Sequence, residues 1–199
     1  MPKVVQDYRN TAKKRILDSS TKLFYERGYN NASMDDIAKD IGVTKGTLYL
    51  YFKSKEEILD ETCRINISIM ENIMGRIDNN NFISSIRKFF EEELNQPDHI
   101  KFYWVFALSE LNINPKVNNI IKESYAKYKL YITKIINQIK DTGILPAEIN
   151  SANLAMIFIA FHNGIMISTL QGMDKKDAIS MFSLGVELIL KGANSKVDH

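Results

Sequence analysis

The sequence predicts an all-α fold: a three-helix, helix-turn-helix head at residues 1–54 and a larger helical body at 55–199, about nine helices in all. Three observations point that way. Apolar residues recur at spacings of three and four along nearly the whole chain. Strand-like alternation is scarce. Capping side chains or glycines stand where one periodic stretch gives way to the next.

The elements follow in order. Ile16, Leu17, Leu23 and Phe24 mark one face of a first helix, which Gly28 should end. Ser33 with Asp36 forms an S-x-x-D capping pattern, opening a second helix with Ile37, Ala38 and Ile41 inward. Gly42 closes it. Thr44 is placed to cap a third helix, in which Leu48 and Phe52 lie one turn apart and share a buried face. Ser54 with Glu57 repeats the capping pattern, so a fourth helix begins near Lys55. Its stripe runs from Ile58 and Leu59 through Ile65, Ile69 and Ile73 to "DNNN" at 78–81, and a fifth begins at Phe82. The segment "IKFYWVFALSEL", 100–111, is apolar on most sides and is expected to be a buried helix. Pro115 suits the first turn of a helix reaching about Asp141. After the loop "DTGILPAEIN", two last helices are expected at about 151–170 and 174–191.

Composition narrows the class. With 199 residues, 45% hydrophobic and 25% charged, the chain suits one or two small soluble domains. The opening "MPKVVQDYRNTAKKRI" has no apolar run, so a signal peptide is not expected. The stretch Leu154 to Leu170 is short for a membrane span and contains His162, Asn163, Gly164, Ser168 and Thr169. A single cysteine, Cys63, leaves no internal disulfide and fits a reducing cytoplasm. A soluble cytoplasmic protein is expected, without a membrane partner. Three histidines, one cysteine and no glycine-rich phosphate loop supply neither a nucleophile–base pair nor a metal cluster, and "EEE" at 91–93 reads as a solvated helix face. No enzyme, cofactor or metal is therefore expected. Net charge, only +2 overall, becomes informative when divided: residues 1–55 hold 11 Lys/Arg against 6 Asp/Glu, a net +5. A basic head beside an acidic remainder suggests a polyanion partner at one end.

The segment "GVTKGTLYLYF", 42–52, carries that suggestion further. Three short helices, the second and third joined by a tight "IGVT" turn, describe a helix-turn-helix unit. With Leu48 and Phe52 inward, Lys45, Thr47 and Tyr49 fall on outer faces. Gly46 removes a side chain where a second surface must come close. Thr44, Gly46 and Thr47 stand at a helix start that favours phosphate oxygens. Lys45 has the reach for guanine acceptors, Tyr49 and Tyr51 offer hydroxyls, and Lys55 adds a cation at the rim.

These residues resemble a known family. "MDDIAKDIGVTKGTLYLYFKSKEEIL", 34–59, is similar to the DNA-binding signature of the tetracycline-repressor (TetR) family of transcriptional regulators, and the similarity extends upstream through "ILDSSTKLFYERGYNNAS". The resemblance implies that Ser33 matches a phosphate-binding capping hydroxyl, where many members have threonine. It implies that Thr44, Lys45, Gly46 and Thr47 match the start of the recognition helix. Tyr49 and Tyr51 then match phosphate or base contacts, and Lys55 a phosphate contact. Leu50 is less polar than the residue often found there in relatives. It either touches a thymine methyl or covers the helix, and covering the helix is the reading favoured from sequence.

The body needs its own explanation. One recognition helix reads little sequence, whereas a two-fold dimer places two of them one DNA turn apart, on a palindromic operator. "ANLAMIFIAFHNGIMISTL" and "DAISMFSLGVELIL" are apolar around more of their circumference than surface helices should be, so a homodimer interface is expected at Ile157, Phe161, Ile165, Phe182, Val186 and Ile189. The family resemblance agrees, implying a four-helix bundle across the dimer. It also implies an effector cavity in the aromatic- and methionine-rich middle. Met70, Phe90, Tyr103, Trp104, Tyr128, Phe158, His162, Asn163 and Met166 are the candidate contacts for a lipophilic small molecule. Fatty acyl chains or acyl-CoA thioesters lead among such molecules, planar drug-like compounds follow, and a dimeric DNA-binding protein without effector is the alternative.

Overall fold

Capping chemistry and apolar period set the element order in a computed structural model that describes residues 3–75, 81–97, 105 and 113–195. Among the described residues there are eight helices and no strands. They are α1 (Lys3–Arg27), α2 (Met34–Asp40), α3 (Lys45–Tyr49), α4 (Lys55–Met74), α5 (Phe82–Leu94), α6 (Pro115–Asp141), α7 (Ser151–Leu170) and α8 (Lys175–Asn194). The helix expected at 100–111, with Tyr103 and Trp104, lies outside the described residues apart from Val105, which is helical.

The chain divides into two compact units, residues 1–66 with 96–124, and 67–95 with 125–199. The first packs α1, α2 and α3 around Phe24, Ile37, Leu48 and Phe52, each at most 2% exposed. Ile58, Leu59 and Cys63 of α4 belong to the same core. That is why the compact unit runs past the boundary expected after residue 54. Gly28 and Gly42 end α1 and α2 with φ of 82° and 72°, a left-handed turn that a side chain would strain. Ser33 and Asp36 make the full reciprocal capping box at α2. At α4 the pattern is displaced by one residue: Glu57 N–H donates to Ser54 Oγ at 3.3 Å, but the Glu57 carboxylate reaches back to Lys53 N–H at 2.5 Å. Asn114 caps α6, its Oδ1 accepting from Lys116 and Val117 N–H.

The second unit holds α5, α7 and α8 together through aromatic rings. Phe182 of α8 is fully buried and stacks on Phe90 of α5 with centroids 4.1 Å apart. Phe161 of α7 lies against it at 5.9 Å. Gly185 makes room for that approach, since a Cβ there would overlap the Phe161 ring. Gly185→Ala is therefore expected to cost about 1–3 kcal/mol through overpacking, read as a lower urea midpoint, with Phe161→Leu restoring part of the loss in the double variant.

α7 runs for 20 residues and, by length and composition alone, is long and apolar enough to cross a bilayer. The shorter span expected from Leu154 is thus corrected: Asn150 caps the helix from outside the apolar stretch, its Oδ1 accepting Asn153 N–H at 3.0 Å. In this fold the helix buries Leu154, Ala155, Ile159, His162, Ile165 and Met166 within its own unit.

Candidate nucleic-acid interface and candidate effector site

The joint between α2 and α3 is fixed by backbone and core. Val43 N–H donates to the Ala38 carbonyl at 2.9 Å, and the Arg15 guanidinium of α1 donates to the Ile41 carbonyl at 3.0 Å. Ile37 and Leu48 are both fully buried, locking α3 onto α2. Thr44 Oγ1 then accepts Thr47 N–H at 3.1 Å, and the two hydroxyls share a further bond at 2.8 Å. At the other end the Lys53 ammonium donates to the Tyr49 carbonyl at 2.7 Å. A five-residue helix has little stability of its own, so these clamps at both ends are what hold it in register.

The expected contact residues share this region but differ in what already holds them. Thr44, Lys45 and Gly46 are exposed, while Thr47, Tyr49 and Tyr51 are half-buried. Both tyrosine rings pack against the head's core, which orients them. Lys45 pairs with the Asp35 carboxylate at 2.8 Å, both side chains about half exposed. The hydrogen bond to Asp35 holds the Lys45 ammonium above the ordinary lysine pKa. A base contact by Lys45 would have to displace or share that partner. Ser33 is exposed, its hydroxyl donating to the Asp36 carboxylate at 2.5 Å and accepting Asp36 N–H at 3.1 Å. Lys55 donates to the Tyr29 carbonyl at 2.6 Å and lies 4.5 Å from the Tyr29 ring centroid, tying the start of α4 to the turn after α1. Lys53 and Arg15 were not among the expected residues. Lys53 is one turn beyond Tyr49 and could have been found from its spacing, but Arg15 meets Ile41 from 26 positions away and leaves no local pattern.

Leu50 corrects the sequence expectation. It is 74% exposed, so it does not cover the helix.

In the second unit the candidate effector residues are dispersed. Phe90 and Met166 are fully buried, His162 is buried, and Met70, Tyr128, Phe158 and Asn163 are half-buried. A cavity of about 40 Å³ in the same unit is lined by apolar side chains that include Phe82, Ile86, Ile135, Leu154 and Phe158. Val186 and Ile189, expected at the dimer interface, also line it. Phe158 is the expected effector residue on its wall. Its volume is far below the roughly 300–1,000 Å³ of a typical ligand pocket.

His162 finds a carboxylate partner from another helix. Its Nε2 lies 2.8 Å from Glu93 Oε2, with Phe90 and Phe182 edge-on at centroid distances of 5.7 and 6.1 Å. Glu93 is thus turned inward, not a member of a solvated acidic face. Burial opposes charging of His162, but the Glu93 carboxylate outweighs it and the histidine pKa is raised above 6.5. A raised folded-state pKa stabilises the fold fully below the unfolded value and is lost as pH rises through the folded value. The wild type is accordingly expected to lose stability as pH is raised from about 6.5, and His162→Gln to flatten that slope in urea melts at stepped pH.

Of the expected interface residues, Ile157 is 54% exposed, Phe161 and Ile189 are half-buried, and Ile165, Phe182 and Val186 are buried within the chain itself. The apolar side chains left outward are Met156, Ile157, Ile167 and Leu170 on α7, with Met181, Leu184 and Leu188 on α8. The two helices are apolar on both flanks, so periodicity alone did not say which flank the monomer would use.

An α2–turn–α3 unit with an outward third helix defines a helix-turn-helix protein. Residues 16–62 match the family model "Bacterial regulatory proteins, tetR family". The chain is 30% identical over 131 residues to the uncharacterized HTH-type transcriptional regulator YerO of Bacillus subtilis; the match spans 63% of this chain and 44% of YerO. Two solved structures share the fold. A Saccharomonospora viridis protein in complex with choline has a TM-score of 0.69 at 21% identity, covering 92% of this chain and 96% of its own. Thermus thermophilus FadR, a TetR-family transcriptional repressor in complex with lauroyl-CoA, has a TM-score of 0.62 at 17% identity, covering 93% and 96%. The similarity to the tetR family thus lies in the head, over residues 16–62, and the chain spans less than half the length of YerO.

Proposed function

We propose that the chain is a transcriptional regulator that binds a palindromic operator as a homodimer and acts as a repressor, released by a lipophilic small molecule. The observation that carries this reading is the outward face at residues 44–50, held on a fully buried anchor at Leu48 and clamped by Thr44 and Lys53. Such a face offers hydroxyl, ammonium and apolar groups to a groove while the fold stays intact beneath. The basic head supports a polyanion partner. The outward apolar residues of α7 and α8 support the dimer. FadR is a transcriptional repressor, which supports repression here.

The ligand reading is led by fatty acyl-CoA or fatty acid, with drug-like compounds next. The apolar lining around Phe158 supports it, and lauroyl-CoA bound to FadR is consistent with it. The choline complex is a reminder that the fold hosts other chemistry. A second reading, a dimeric regulator without effector, is favoured by the cavity of only about 40 Å³ among the described residues. Selection of bound duplexes from a random DNA pool by the purified chain tests the first part: a palindromic consensus is expected, and no enrichment refutes it. Titrating lauroyl-CoA and lauric acid against the fluorescent operator complex tests the second, since unchanged affinity favours the effector-free reading.

A further inference from the structure

We infer that Leu50 is a specificity-determining residue that reads a thymine 5-methyl group in the major groove; this rests on the DNA-binding reading above. Leu50 is 74% exposed, more than any other large hydrophobic side chain among the described residues, with Ile113 at 67% and Leu188 at 59% below it. Its direction follows from helical geometry. Phe52 N–H donates to the Leu48 carbonyl at 3.1 Å, so the helical course continues past Tyr49. At about 100° per residue, Leu50 then lies opposite the buried pair Leu48 and Phe52. Gly46 sits one turn before it on the same outward line.

Gly46 supplies an independent observation. A Cβ there would meet Thr44 Oγ1 at 3.8 Å, an ordinary contact, and its φ is not positive. The fold therefore does not require glycine at this position, although glycine within a helix is disfavoured relative to alanine. The missing side chain leaves clearance in front of Leu50, letting a flat surface approach the turn closely. Thr47 and Tyr49 flank the same outward line, Lys45 is exposed at the start of the helix, and the head is basic. Duplex DNA fits that setting. Leucine has no hydrogen-bonding group, and the apolar feature on the base edges of the major groove is the thymine methyl. The alternative occupant, a second protein, would find a lone leucine among polar and cationic groups rather than a contiguous apolar patch.

The test uses the full chain and the operator obtained by selection. Each thymine of the half-site is replaced in turn by deoxyuridine, which removes only the methyl, and affinity is measured by anisotropy at fixed salt. At one position per half-site, wild type is expected to lose about 4-fold, the effect of burying one methyl-sized group. Leu50→Ala should show a similar loss on the thymine operator and no further loss with deoxyuridine there, while Leu50→Met should keep the deoxyuridine penalty. Circular dichroism and thermal melts should match wild type for both variants. The inference is overturned by wild type being indifferent to every replacement, by a penalty that persists unchanged in Leu50→Ala, or by Leu50→Ala altering self-association instead. Failure to select any DNA would refute the DNA-binding reading itself, a result distinct from these.

Discussion

Glutamate at both Leu184 and Leu188 is expected to leave a folded monomer and to remove operator binding at any practical concentration. The two residues lie one helical turn apart on α8, 57% and 59% exposed, so charge there has little to disturb within the chain. Across a two-fold interface each substitution would appear twice, placing four carboxylates in a region that must otherwise exclude water. Burying unpaired carboxylates is costly enough to weaken association by well over 100-fold, about 3 kcal/mol or more. The loss should carry over to DNA, because a monomer presents one reading helix where a half-site pair needs two, about 34–36 Å apart. Sedimentation velocity at several concentrations measures the first effect and anisotropy on the operator the second. A double variant that still dimerises would place the partner surface elsewhere than on the outward flanks of α7 and α8.

Phe182→Ala should act in the opposite way, through the fold. Phe182 is fully buried, stacks on Phe90 at 4.1 Å and lies beside Phe161 and His162. Truncation removes its buried surface and leaves a cavity that the packed rings can only partly fill. A loss of about 3–5 kcal/mol is expected. Against a total of roughly 5–15 kcal/mol for a domain, that is enough for the melting temperature to fall steeply. Urea unfolding of wild type and variant measures it. Unchanged stability with lost dimerisation would instead make Phe182 an interface residue, as its sequence position suggested.

The head was legible because its signals are local. Ser33 with Asp36, the glycines at 28 and 42, and Leu48 with Phe52 each act within one or two turns, and each appears in the structure with the expected geometry. What escaped was set by tertiary partners. Lys45 and Lys55 were identified as cations, but their partners Asp35 and Tyr29 come from other elements. Glu93 looked like one of three solvated carboxylates until His162, 69 residues on, turned it inward. Leu50 reads more readily as cover than as contact until its neighbours' positions are known. On α7 and α8 the apolar pattern is nearly continuous, so sequence marks both helices as doubly buried without distinguishing the core flank, with Phe182 and Val186, from the outward one, with Leu184 and Leu188.

Operator affinity of the Lys45→Ala/Tyr49→Ala double variant, compared with wild type at matched salt, is the most direct test of whether residues 44–51 face DNA. Lys45 is exposed and Tyr49 half-buried at the edge of the core, so circular dichroism should confirm an intact head. A loss of about 10-fold or more is expected, from a base contact worth ~1–3 kcal/mol together with the tyrosine's contribution. Equal affinity of a folded double variant and wild type for the selected operator would contradict it.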